Sequence, residues 1–195
     1  MSYKNKDFEE VFPKSVKEWR SWLSQNHAKK ESIWLVLPKK DSTLKGLTIQ
    51  EAVDHAQCFG WIDSVPNKID DQKYKILVSP RSFKSNWSRV NKEKIARLRK
   101  EDLITEPGYE MIRIAKENGT WDALNDVENL VIPPDLKSEF NNYKHSKTNF
   151  ENFPRSAKRG ILEWIFNAKR TETRKKRVEE TAELAEKNIR ANQFR

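Results

Sequence analysis

One cluster of residue types stands out for chemistry. Asp63 follows Gly60-Trp61-Ile62, Arg81 follows Pro80, and Ser85, Trp87, Ser88 and Asn91 come soon after. Arginine presents a planar fork of donors that suits a carboxylate or phosphate. Serine ahead of a helical pattern caps the helix, and the first amides with the positive dipole end attract anions. Trp61 and Trp87 can wall a pocket or stack on a planar ring. Together Trp61, Asp63, Arg81, Ser85, Trp87, Ser88 and Asn91 describe a pocket for a small anionic ligand. The same residues admit a purely structural role, with Ser88 as an N-cap, Arg81 paired to Asp63 and both tryptophans in the core. An enzyme of unknown reaction at this pocket is a further reading. It requires a titratable group in the cleft, and Asp63 is the nearby carboxylate.

Other candidates are thinner. His55 and Cys58 are three residues apart and share a helical face, but zinc takes three or four protein ligands. Both sit in an apolar helical stretch, where a structural thiol is the expectation. No metal site is expected. The five glycines cannot assemble G-x-G-x-x-G or a Walker loop. No G-x-S-x-G elbow occurs, and no cofactor is expected. Arg170, Arg174 and Arg177, with Lys175 beside them, recur at helical spacing. Such a stripe can follow a nucleic-acid backbone with strongly salt-dependent affinity. No aromatic residue alternates with these cations and no nucleic-acid-binding motif is present, so nucleic acid is the alternative partner.

These residues need elements to position them. Ser15 with Glu18, ahead of Val16, Trp19, Trp22 and Leu23, reads as a capping box opening an amphipathic helix. Ile33–Leu37 is a short apolar run ended by Pro38, read as a buried strand. Thr48 and Glu51 open a second helix that runs to Phe59, with Gly60 as its C-terminal glycine. Two extended runs around Asp70-Asp71-Gln72 make a hairpin. Helices follow over Arg89–Lys100 and from Glu106, and Pro133-Pro134 marks a boundary. Beyond it lie a helix over Leu136–Tyr143, another over Pro154–Lys169 and a final one from Thr171 or Thr173 to about Asn192. The thin apolar stripe of that last helix, Val178, Ala182, Ala185 and Ile189, suits a peripheral or exchanged helix. The expected fold is α+β: a small antiparallel sheet of about three strands backed by helices, residues 1–132, with an all-helical C-terminal region, residues 133–195.

Composition bounds the classes. The chain has 195 residues, seven Trp and nine Phe, which a disordered chain would lack. Its apolar runs are far too short to span a bilayer, which takes about 20 residues, so no membrane insertion is expected. Cys58 is the single cysteine, which excludes a disulfide scaffold. The first residues lack the apolar stretch of a secretory signal, and a cytoplasmic location is expected. The net charge of +9 is uneven: +7 over residues 81–100, −6 over 101–154 and +7 over 155–177. Each basic block either meets an anionic partner or is neutralised by the acidic block between them.

Gly60-Trp61-Ile62-Asp63-Ser64, Pro80-Arg81 and Ser85-x-Trp87-Ser88-x-x-Asn91, in that order, resemble motifs of the YdeI/OmpD-associated, or bacteriocin-protection, family. Trp164-Ile165-x-x-Ala168-Lys169-x-x-Glu172-Thr173-Arg174-x-x-Arg177 resembles its C-terminal signature. The resemblance runs from about Phe12 to Asn192. It implies protection against bacteriocins or antimicrobial peptides and association with an outer-membrane porin. It supplies no catalytic residues. The family pattern often carries a second basic residue after Pro-Arg, where this chain has Ser82.

Overall fold

The computed structural model describes residues 7–192; the first six and last three residues of the two expected regions lie outside it. The chain forms two compact units, residues 1–121 and 122–195. The second unit starts ahead of Pro133-Pro134 because Leu124 and Val127 already belong to its core.

In the first unit the elements follow in the order β1 (Glu10–Val11), α1 (Val16–Asn26), β2 (Ile33–Pro38), α2 (Ile49–Cys58), β3 (Trp61–Lys68), β4 (Lys73–Pro80), α3 (Arg89–Lys100) and α4 (Glu106–Glu117). Among the described residues the sheet has four strands in the order β1-β2-β4-β3, close to the expected number of about three. The added strand is β1, which pairs parallel to β2 with Glu10 opposite Trp34, so the sheet is mixed. Two residues carry no periodicity, and this strand exists only because the chain passes along the β2 edge. β3 and β4 form the expected hairpin, with a register irregularity between Asp63 and Pro66.

Local signals explain most of the helices. The Ser15 hydroxyl accepts from the Glu18 amide. The Glu18 carboxylate, however, accepts from the Lys14 amide at 2.7 Å rather than from Ser15. Thr48 and Glu51 form the complete reciprocal box. The core joins Trp19 and Leu23 of α1, Ala52, Val53 and Ala56 of α2, and Ile33, Leu35, Leu37, Ile76 and Val78 of the sheet. Gly60 ends α2 at a φ of +75°, where a side chain would meet Met111 and the Pro107 carbonyl. That turn hands the chain from α2 into β3.

The second unit is helical, as expected: α5 (Asn125–Glu128), α6 (Pro134–Glu139), α7 (Ser146–Asn152), α8 (Arg155–Phe166) and α9 (Thr171–Glu186). A 3-10 turn, Phe140–Asn142, extends α6. α7 has no counterpart in the sequence reading, and α9 ends at Glu186 rather than near Asn192. The Asn149 side chain donates to the Ala185 and Glu186 carbonyls at 2.9 and 3.3 Å, closing the last turn of α9. The small residues Ala182 and Ala185 are fully buried, so the thin stripe is a close-packing surface. Ile189 lies past the helix and is exposed.

Candidate functional site

The hairpin's open end places Trp61, Asp63 and Arg81 together. Trp61 begins β3 opposite Pro80, which ends β4. The Arg81 backbone amide donates to the Gly60 carbonyl at 2.9 Å. Trp61 is fully buried and its indole donates to the His27 carbonyl at 3.1 Å. It packs edge-on against Trp22, so it is a structural wall of the core.

Arg81 is 4 % exposed. Its guanidinium lies over the Trp87 ring at 3.7 Å. Nη2 donates to the Asn86 carbonyl at 2.6 Å, two residues ahead of the α3 cap. Nε and Nη1 are buried and meet no acceptor. Burial pulls the pKa down to about 10, while the charge of Asp63 raises it, so the group stays a cation at neutral pH. Asp63 acts on it only through space: among the described residues no ion pair at 4 Å or less joins them. The Arg81–Asp63 pairing that a purely structural role calls for is therefore replaced by stacking on Trp87.

Ser88 caps α3 by accepting from the Asn91 amide at 3.3 Å. The Asn91 side chain accepts from Gln57 Nε2 at 3.3 Å, which ties α3 to α2. Ser85 is half-buried and its amide donates to the Ser82 carbonyl at 2.9 Å. The first turn of α3 contains no acidic residue of its own. Behind Trp87 stands Trp121, with ring centroids 5.0 Å apart. Nothing local in the sequence ties Trp121 to Trp87, so sequence reasoning missed this contact.

Trp121 also walls a cavity of about 440 Å³ between α3 and α4, whose lining includes Lys92, Ile95, Arg99, Tyr109 and Lys116. None of the seven residues singled out in the sequence lines it. Lys92 and Arg99 belong to the +7 block over residues 81–100, and nothing local in the sequence shows that α4 lies beside it to form a groove.

His55 and Cys58 are on α2 as expected. Arg20 Nη1 donates to His55 Nδ1 at 3.1 Å, which requires a neutral imidazole with its proton on Nε2. Burial, then the charge of Arg20, lowers the His55 pKa. Cys58 is fully buried and burial raises its thiol pKa. Among the described residues no three His, Cys, Asp or Glu side chains gather in a way that could hold a metal ion.

The C-terminal cations are largely engaged within the second unit. Arg174 grips Asp135 through Nε at 2.6 Å and Nη2 at 3.0 Å. Arg177 donates to the Trp164 carbonyl and lies over the Trp164 ring at 4.9 Å. Lys175 stands 3.8 Å from Glu179. Arg170 is exposed at the start of α9. Nearby, Arg159 holds the buried Glu128 at 2.9 Å and reaches Glu163 at 2.9 Å. Much of this basic block is thus neutralised by acidic residues of its own unit.

An α+β unit with a mixed four-stranded sheet, followed by a helical unit, is the class that this geometry defines. Residues 11–111 match the family described as Domain of unknown function (DUF8412), and the chain belongs to that family. Residues 129–188 match the family described as Bacteriocin-protection, YdeI or OmpD-Associated. The resemblance drawn over most of the chain narrows accordingly, and the motif from Gly60 to Asn91 falls within the first of these matches. No curated protein and no solved structure matches the chain. Among the described residues no helix is long and apolar enough to cross a membrane.

Proposed function

We propose that this protein is a binding protein of the bacteriocin-protection type, working in the cytoplasm, that takes a small anion at Arg81 beside the start of α3. The observation that carries the reading is the Arg81 guanidinium. Among the described residues it is a buried cation with no carboxylate in ion-pair contact and two donor atoms lacking acceptors. A buried donor left without an acceptor costs about 1–3 kcal/mol, and a bound anion offsets that cost. The first α3 amides and the Ser85 and Ser88 hydroxyls flank the Asn86 carbonyl that Arg81 holds, and the first turn of α3 carries no acid of its own. The Trp87 ring holds the guanidinium in place from one face. Nε and Nη1 are covered, so binding opens the Ser82–Asn86 loop slightly. The match over residues 129–188 supports the protective role, and the single buried thiol suits a reducing compartment.

The test uses the full chain with inorganic phosphate, sulfate and acetate as probes, followed by calorimetry and thermal shift. At least one anion is expected to bind saturably and raise the melting temperature. Arg81→Met should abolish the effect and Arg81→Lys should weaken it about tenfold, the size of one lost charge-assisted hydrogen bond. Equal binding by the wild type and a folded Arg81→Met variant would overturn the reading, as would no binding of any of the three.

A further inference from the structure

The groove between α3 and α4 is a second site, and we propose that it binds a small aromatic carboxylate. Its volume of about 440 Å³ lies in the range of small-molecule pockets, about 300–1,000 Å³. Three features define the ligand. The floor is apolar, made by Ile95, Ala96 and Ile112, and Ile95 is 4 % exposed. The aromatic side is Trp121 and Tyr109. Trp121 is backed by Trp87 at 5.0 Å, which is in turn stacked on Arg81 at 3.7 Å. Its ring is therefore braced from behind and preorganised to take a flat body.

Charge supplies the third feature. Lys92, Arg99, Arg113 and Lys116 line the groove with Glu106 and Glu110. Glu110 is already held by Arg113 at 2.5 and 3.0 Å, so that pair is internally compensated. Lys92 and Lys116 stand 5.7 and 5.5 Å from the Trp121 ring centroid. Among the described residues neither Arg99 nor Lys116 has an ion-pair partner. A ring on Trp121 with its carboxylate among the cations of the lining meets the apolar floor, the aromatic wall and the surplus positive charge together. A cationic ligand of the same shape meets the same floor but the wrong charge.

The probe is 2-naphthoate, compared with 2-naphthylmethylamine and naphthalene-2-methanol, titrated into the full chain by calorimetry and by tryptophan fluorescence. Naphthoate is expected to bind at least tenfold more tightly than the alcohol, and the amine least of the three. The double variant Arg99→Ser with Lys116→Ser, at two solvent-facing positions, should lose about tenfold for naphthoate and leave the alcohol unchanged. Trp121→Leu should weaken both. Saturating phosphate should leave naphthoate binding within twofold, which separates this groove from the Arg81 site. The proposal is overturned if naphthoate does not bind at millimolar concentration, if acid and amine bind alike, or if the double variant binds naphthoate as the wild type does. Competitive displacement of naphthoate by phosphate would assign it to the Arg81 site instead.

Discussion

Arg81 and Arg159 show two fates for a cation removed from water. Arg81 has an aromatic face and one carbonyl, and keeps donors to spare. Arg159 has Glu128 and Glu163, and its own pKa is raised, chiefly by the hydrogen bond to Glu128. Glu128 is 6 % exposed and its backbone carbonyl also accepts from Arg155. Arg159→Ala removes the guanidinium from which the Glu128 carboxylate accepts at 2.9 and 3.1 Å, and a hydrogen bond to a charged group contributes about 1.5–3 kcal/mol. Arg159 is itself part-exposed, which places the expectation near the low end, about 1.5 kcal/mol. Urea unfolding of the full chain measures it, and a loss under about 0.5 kcal/mol would show that the pair contributes no more than a surface ion pair.

At the scale of elements, the join between α2 and α4 depends on a glycine. Gly108, in the first turn of α4, has no room for a side chain: a Cβ would stand 2.3 Å from the Cys58 carbonyl oxygen and 2.9 Å from its carbon. That carbonyl also accepts from the Thr105 amide at 3.1 Å and hydroxyl at 2.7 Å, so it cannot turn aside. Gly108→Ala forces α4 away from α2, and overpacking of this kind costs about 1–3 kcal/mol. Since α4 forms one side of the naphthoate groove, the variant should show both a lower melting temperature and weaker naphthoate binding. Ser88→Ala is the milder comparison, with about 1 kcal/mol lost from the α3 cap. A Gly108→Ala variant as stable as Ser88→Ala would mean that the α2–α4 approach is looser than the backbone distance implies.

For the whole molecule, the distribution of charge predicts a two-stage response to acid. His55 titrates below its ordinary value because burial, then the charge of Arg20, disfavours its cation. The unfolded chain therefore takes up that proton first, and stability falls as the pH drops below about 6.5. Asp135 is held low chiefly by its hydrogen bond to Arg174, and Glu51 by the Thr48 amide. Their contributions are intact above about pH 4.5 and are lost as the pH falls further. Thermal melting from pH 8 to 3 should show both declines, and His55→Gln should remove only the upper one. A melting temperature that is flat from pH 7 to 5.5 in the wild type would contradict the placement of Arg20 against His55. The +7 block over residues 155–177 also reads differently at this scale. Arg159 and Arg174 are spent on Glu128 and Asp135, both from the acidic block ahead of it, so net charge overstates what that surface can offer an anionic polymer.

Helix caps, the hairpin turn, the burial of Ile33–Leu37 and the α+β order were legible in the residues alone, since each signal acts within a turn or over a period of two or 3.6. The Thr48–Glu51 box and the span of α3 are the clearest cases. The two-residue β1 and the short α7 left no such trace. Half of the candidate site was legible for the same reason: Ser88 announces its cap locally, and Pro80-Arg81 follows from the hairpin's end. The partners were not. Whether Arg81 meets Asp63 or Trp87, whether Trp121 backs Trp87 and whether α3 and α4 leave a groove depend on how separate segments of chain come side by side. Local sequence determines which elements form, because their hydrogen bonds close over a few residues; only tertiary packing decides which charges are neutralised and which donors remain open, because those contacts join residues far apart in the chain.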